Sequence, residues 1–148
     1  MLNYFIKSPQ TSEEWDDYFL FRWEMLRKPL GMSKDSLKDE LESSSFHLIA
    51  IDEYKTIVGS GRVHFNSDEE AQIRYMAINE NLKRKGIGSE IVKKLEEHAG
   101  KNGAKTVILN AREEAINFYL SLNYLEGDPY QSDTGIPHIT MKEILSRL

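Results

Sequence analysis

The chain has 148 residues, a formal net charge of −5 and no cysteine. That length suits one domain over residues 1–148, able to bury about two-thirds of its unfolded surface without disulfide or metal staples. The acidic balance speaks against nonspecific nucleic-acid binding, which needs many neutralised phosphates. With no apolar run of membrane-spanning length and no basic-then-apolar opening at Met1 to Lys7, a cytoplasmic protein with no membrane partner is expected.

In chain order, Leu2 to Ile6 reads as a strand, and Ser12-Glu13-Glu14-Trp15 as the capped opening of a helix running to about Leu26. Pro29-Leu30-Gly31 breaks it, and Ser33 is expected to cap a second helix through about Leu41. Phe46 to Ile51 and Ile57 to Phe65 read as antiparallel strands joined by the polar turn Asp52-Glu53-Tyr54-Lys55. After a loop at Asn66 to Glu70, Ile73-Arg74-Tyr75-Met76-Ala77-Ile78 has the β-branched and aromatic content of a buried strand. Ile87, Ile91, Leu95 and Ala99, widened by Val92, then form the apolar stripe of a helix, with Lys93, Lys94, Glu96 and Glu97 opposite. A strand at Thr106 to Leu109, a helix to Leu122, and short strands near Tyr124 and from His138 to Ile144 complete a mixed α/β sheet.

The run Lys83-Arg84-Lys85-Gly86-Ile87-Gly88-Ser89 therefore sits at a strand-to-helix turn. Glycines there let an anion approach the backbone, and the unsatisfied first N–H groups and positive dipole end of the helix face it. A Walker loop would need a Lys-Ser/Thr pair where Ser89-Glu90 follows Gly88, and a dinucleotide fingerprint would need a glycine where Ile91 stands. A plain glycine-bearing turn that merely opens a surface helix stays open on the loop alone. The histidines His47, His64, His98 and His138 show no ligand spacing, so no metal is expected.

Lys83 to Gly88 resembles the Gln/Arg-x-x-Gly-x-Gly/Ala pyrophosphate loop of the GNAT family of N-acetyltransferases. Ala115-Ile116-Asn117-Phe118-Tyr119-Leu120-Ser121-Leu122-Asn123-Tyr124 is similar to that family's second signature, one helix and one strand further on. Phe21 to Leu30, Ile73 to Ile78 and Asn110 to Glu113 are also similar to the acetyltransferase module that some bacterial proteins join to a thioesterase-like domain. The resemblance implies the GNAT acyl-CoA N-acyltransferase fold, a mixed and mostly antiparallel sheet flanked by helices. It further implies acetyl-CoA as cosubstrate and a primary amine, on a small molecule or peptide, as direct acceptor in a ternary complex.

By that resemblance, the backbone of Met76, Ala77 and Ile78 holds the pantetheine and acetyl oxygen. Lys83, Arg84, Lys85, Gly86, Ile87, Gly88 and Ser89 hold the pyrophosphate, and Asn110, Arg112 and Asn117 lie along the pantetheine arm. Lys83 replaces a planar Gln or Arg, Arg112 replaces a common Asn, and Asn123 replaces the glycine that commonly ends the tyrosine helix. Tyr119 is the candidate acid for the departing thiolate and His138 the candidate base, with His64 a weaker one. Periodicity alone would equally make Tyr119 a core tyrosine with a satisfied hydroxyl. Glu126, Asp128 and Asp133 could attract a cationic amine, and Arg74, a charge in an apolar strand, needs either an ion-pair partner or an anionic ligand. Arg22, Trp23 and Arg27 precede a turn that could line the acceptor cleft, with Trp23 favoured as core. A non-catalytic acyl-CoA sensor, or an acyl-thioester acceptor, stays open, and a homodimer is compatible with the sequence.

Overall fold

The computed structural model describes residues 3–145. Strand β1 (Tyr4–Lys7) leads into helix α1 (Ser12–Leu26), then β2 (Phe46–Asp52), β3 (Ile57–Phe65), β4 (Glu70–Ile78), helix α2 (Ile87–Lys101), β5 (Thr106–Arg112), helix α3 (Ile116–Leu120), β6 (Leu125–Gln131) and β7 (Pro137–Ile144). The strands form a seven-stranded sheet in the order β1-β2-β3-β4-β5-β7-β6. All neighbours are antiparallel except β4 and β5, as the α2 crossover between them requires. This is the mixed sheet expected from the element order, and the mostly antiparallel one that the family resemblance implies.

The stripe on α2 packs as its spacing predicts: Ile87, Ile91, Val92, Leu95 and Ala99 are sealed against Leu48, Val63, Ile73, Val107 and Leu109. Gly59 and Gly61 of β3 let the helix approach, since a Cβ at Gly61 would lie 2.9 Å from Ile91 Cγ2. Glu96 departs from its expected place on the solvent side. It is half-buried and accepts a 2.8 Å hydrogen bond from the Tyr124 hydroxyl, an aromatic too far along the chain for helical periodicity to reveal.

Helix α1 covers the other face and is capped by Thr11, one residue before Ser12. The Thr11 hydroxyl accepts from Glu14 N–H, and the Glu14 carboxylate accepts from Thr11 N–H, a reciprocal capping box. The expected helix over Ser33 to Leu41 is replaced by single 3₁₀ turns at Lys34–Leu37 and Glu42–Ser44. Its acidic residues serve distant partners: Asp39 Oδ1 accepts from Arg62 Nη1 at 2.8 Å, and Glu42 takes both terminal nitrogens of Arg22 at 3.0 Å. β4 begins at Glu70, earlier than the apolar run suggested, and β5 and β6 are also longer than their apolar residues mark.

Candidate active site

Strands β4 and β5 pair only at Glu70, Ala71 and Gln72 against Thr106, Val107 and Ile108. Beyond that, β5 stays bonded to β7 through Arg112, while β4 stays bonded to β3 through Ile78. The two central strands thus part toward their carboxyl ends, leaving a crevice edged by β4 backbone that no neighbouring strand satisfies. Met76, Ala77 and Ile78 lie on that edge.

A bulge follows where the pairing ends. The β3–β4 register slips between Ser60 and Arg62, and Tyr75 takes φ of 59°, a left-handed conformation that is costly for an aromatic residue. Consecutive residues Arg74 and Tyr75 consequently both meet the α1 side: Arg74 binds Asp39, and the Tyr75 ring lies under Arg22. The bulge also turns Met76 to the other face, where its sulfur lies beside Gly61 under α2.

At the mouth of the crevice, α2 starts with Gly86 at φ of 88° and no side-chain cap. The first helical bond at this end is from Glu90 N–H to Gly86 C=O. The N–H groups of Ile87, Gly88 and Ser89 are therefore available to an outside acceptor. A Cβ on Gly86 would meet nothing within 4 Å, so its surroundings are open, whereas one on Gly88 would press on Phe118 Cζ at 3.2 Å. Gly88 is thus required by α3, and Gly86 by its backbone angle. Arg84 and Lys85 are exposed and carry no ion pair among the described residues, while Lys83 pairs with Glu80 at 3.2 Å.

Helix α3 packs Phe118, Tyr119 and Leu122 into the core beside Ala115, the face that spacing predicts. Asn123 ends this turn at φ of 75°, the left-handed conformation expected of it. Tyr119 is 7 % exposed, yet among the described residues its hydroxyl has no hydrogen-bond partner and does not belong to the fully sealed unpaired atoms. Its oxygen reaches an opening, unlike a core tyrosine with a satisfied hydroxyl. Burial raises the Tyr119 pKa far above the ordinary phenol value, so the group stays protonated. Asn117, on the same helix, is exposed.

His138 pairs with Arg112 across β5 and β7, at the end where the strands part. Its Nδ1 donates to Ile136 C=O at 2.6 Å, which leaves a lone pair on Nε2. His64 is differently placed: Nδ1 accepts from Arg62 Nη2 at 3.0 Å, Nε2 donates to Asn66 Oδ1 at 3.1 Å, and burial first, then Arg62, lowers its pKa. With both nitrogens engaged, His64 has no lone pair to offer. Asn110 Oδ1 accepts from Thr140 Oγ1 at 2.6 Å, tying β5 to β7. Asn110 and Arg112 alternate with Leu109 and Ala111, which face the α2 core, and so lie on the α1 side of the sheet. Glu126, Asp128 and Asp133 are exposed. Two surface depressions, one lined by Phe65 and His98 and the other by Trp15 and His47, lie elsewhere.

The α1 side carries a polar network that sequence reading did not single out. Arg22 and Arg62 are fully buried, and Arg62 takes both oxygens of Asp39 and one of Glu42. Arg22 also donates to the Tyr18 hydroxyl, which in turn donates to His47 Nδ1, so that His47 Nε2–H meets Glu42 C=O. Trp23, favoured as core, is instead half-buried outside both hydrophobic clusters, where its indole N–H donates to Met32 C=O. The signal available in advance was Arg62 itself, a charge inside the apolar strand Ile57–Phe65, like Arg74 in the next.

Residues 27–145 match the family model described as an acetyltransferase (GNAT) domain. The chain is 32 % identical over 133 residues to a Bacillus subtilis protein described as an uncharacterised N-acetyltransferase, YjcF, covering 89 % of this chain and 94 % of that one. An aminoglycoside 6′-N-acetyltransferase solved in complex with coenzyme A shares the fold at TM-score 0.79 and 14 % identity, covering 97 % of this chain and 99 % of the other. Ard1 from Thermoplasma volcanium does so at TM-score 0.78 and 21 % identity, with 97 % and 99 % coverage. Parted central strands, an uncapped glycine-led helix at their mouth and a model match over most of the length agree: this chain belongs to the GNAT family and is an acetyltransferase.

Proposed function

We propose that the protein transfers an acetyl group from acetyl-CoA to a primary amine of a small molecule or peptide, in one step with both substrates bound. The observation that carries this reading is an unpaired β4 edge with three free amides at the start of α2, against which α3, the helix bearing the unpartnered Tyr119 hydroxyl, packs through Phe118 on Gly88. Acetyl-CoA supplies an activated carbonyl carbon and a thiolate leaving group. Its diphosphate fits the amides of Ile87 to Ser89 with Arg84 and Lys85 beside them, and its extended arm fits the backbone of Met76 to Ile78. Asn117 borders this path on α3. Asn110 and Arg112, directed to the α1 side, face the acceptor more than the arm.

The amine nitrogen forms the new bond to the carbonyl carbon as the carbon–sulfur bond breaks. His138 Nε2 accepts the proton that the amine must lose, and Tyr119 presents its O–H to the departing sulfur and gives up its proton there. Burial makes Tyr119 a weak acid, so its contribution is position: it offers a hydrogen bond where charge develops and excludes water. The Arg84–Gly88 loop binds and orients, and takes no part in proton transfer.

Titrating the protein with acetyl-CoA while following thermal unfolding tests the seat. A ligand selective for the folded state at a hundred times its Kd adds about 2.7 kcal/mol of apparent stability. Gly86→Asp, which puts a negative charge at the seat and a Cβ at a left-handed angle, should remove the shift. Thiol release with a panel of amines then separates turnover from mere binding. Tyr119→Phe should lower kcat on the order of 10²-fold with the acetyl-CoA shift retained, and unchanged kcat would remove Tyr119 from the mechanism.

A further inference from the structure

Four guanidinium groups surround the Tyr75 ring: Arg22 at 3.8 Å from its centroid, Arg74 at 4.7 Å, Arg62 at 4.9 Å and Arg27 at 5.6 Å. Arg22 and Arg62 are neutralised by Glu42 and Asp39, and Arg74 shares Asp39 through Nη1 alone. Among the described residues, no carboxylate forms an ion pair with Arg27. Arg27 is 6 % exposed, its Nε is sealed without a partner, and its one hydrogen bond runs from Nη1 to the neighbouring Leu26 C=O at 3.2 Å. Nη2 has no partner either, yet is not among the sealed atoms, so the remaining opening reaches it.

A guanidinium cannot shed its proton, so burying one without an anion is costly unless an anion arrives from outside. The Tyr75 hydroxyl beside it is likewise unpartnered and not sealed. Arg74 is 36 % exposed in its side chain and keeps Nη2 and Nε free for a second anion. Arg112, at the end of β5, and Asp133, on the β6–β7 turn, are both within electrostatic reach of Arg27. Asp133 disfavours a doubly charged phosphate and leaves room for a single negative charge beside a cationic amine.

We propose that the acceptor is an amine that also carries a carboxylate, as an amino acid or an acidic peptide does, with the carboxylate held by Arg27 and Arg74 against the Tyr75 hydroxyl. This rests on the acetyltransferase reading for the amine's fate, but the anion seat stands in the folded chain before any acetyl-CoA binds.

The test has two arms. In the first, N-acetyl amino acids and the matching carboxamides are titrated into the protein without acetyl-CoA, with thermal stabilisation as readout. The acids should stabilise and the amides should not; equal or absent stabilisation by both overturns the proposal. In the second, thiol release is compared for amino acids, carboxylate-bearing peptides and the corresponding amides, which distinguishes a free amino acid from a peptide. Arg27→Gln should raise KM for the carboxylate acceptors at least tenfold, with the acetyl-CoA thermal shift kept and kcat little changed. Arg27→Lys should recover only part of this, because it restores charge but not the fork. Should Arg27→Gln fail to fold, Arg74→Gln, at a half-exposed position, should raise the same KM severalfold. KM that is equal for acids and amides in the unaltered protein overturns the anion seat. Loss of the acetyl-CoA shift in the unaltered protein would instead strike the acetyltransferase reading.

Discussion

The two faces of the sheet solve burial in opposite ways. Under α2 the interior is Ile87, Ile91, Val92, Leu95 and their strand partners, apolar groups whose contribution depends on area and shape alone. Under α1, beside a small apolar cluster of Ile49 and Ile57 with Trp15 and Phe19, it is Arg22, Arg62 and His47, each bonded directly to Asp39 or Glu42, with Tyr18 bonded in turn to Arg22 and His47. Packing tolerates exchange among similar shapes, whereas a charged network is fixed by each partner. The carboxylate seat proposed for the acceptor lies on the face built from directed bonds.

The largest expected effects come from breaking each face once. Glu42→Ala strips Arg22 of its counter-ion and should destabilise by about 3–5 kcal/mol in urea unfolding, because a buried guanidinium is left uncompensated. Leu95→Ala, at a fully buried position, should cost about 2–5 kcal/mol through lost burial and a residual cavity. With the sheet between them, the two losses should add within about 0.5 kcal/mol. Glu42→Ala with Arg22→Met should cost less than the sum of its parts, and strict additivity there would show that the network does not act as a unit.

The faces should also respond to pH with opposite sign. Burial acts to raise the Asp39 pKa, but hydrogen bonds from Arg62 and Leu41 N–H, with the Arg74 charge, hold it at about 2 against an ordinary 3.8. The native state then binds fewer protons than the unfolded one, so this stabilisation is complete above about pH 4 and is lost as pH falls toward 2. His47, kept neutral chiefly by burial, adds a loss of the same sign that begins below its ordinary 6.5. Glu96 behaves inversely: burial, then the neighbouring Glu143, raises it to about 8. Between about 4.5 and 8 the native state holds a proton that the unfolded state has released, so stability falls as pH rises through that window. Glu96→Gln should flatten this decline and leave the acid limb unchanged. A decline that persists in Glu96→Gln would assign it to another group.

Much of this division was written in local pattern. The α2 stripe, the β2–β3 hairpin and the glycine turn follow from periodicity and turn chemistry, which act over a few residues. The expectation of a helix at Ser33 to Leu41 failed because Asp39 and Glu42 are held by Arg22, Arg62 and Arg74, each from a distant segment. The bulge at Tyr75 was equally hidden, since an aromatic residue gives no local warning of a left-handed angle. Tyr119 was legible as a face residue and a motif member, but an unpartnered hydroxyl depends on tertiary surroundings that no local spacing encodes. Arg74 announced itself as a charge in an apolar strand, and Arg62, one strand earlier, carried the same signal.

The smallest effect separates stability from binding at the glycine turn. The Lys83–Glu80 pair spans 3.2 Å between side chains that are 55 % and 74 % exposed, so water and salt screen it and Lys83→Ala should leave the urea midpoint unchanged. If this corner seats a diphosphate, the same substitution should still weaken acetyl-CoA severalfold at low salt, with the difference shrinking as salt rises, because a nearby cation acts on the ligand through the same screened field. Arg84→Ala should weaken binding more than Lys83→Ala, since Arg84 has no carboxylate partner among the described residues to leave before it meets a phosphate. Equal affinity for the unaltered protein and both variants at low salt would mean that the backbone amides of α2 bind alone, and the basic side chains at this turn would revert to solvated surface.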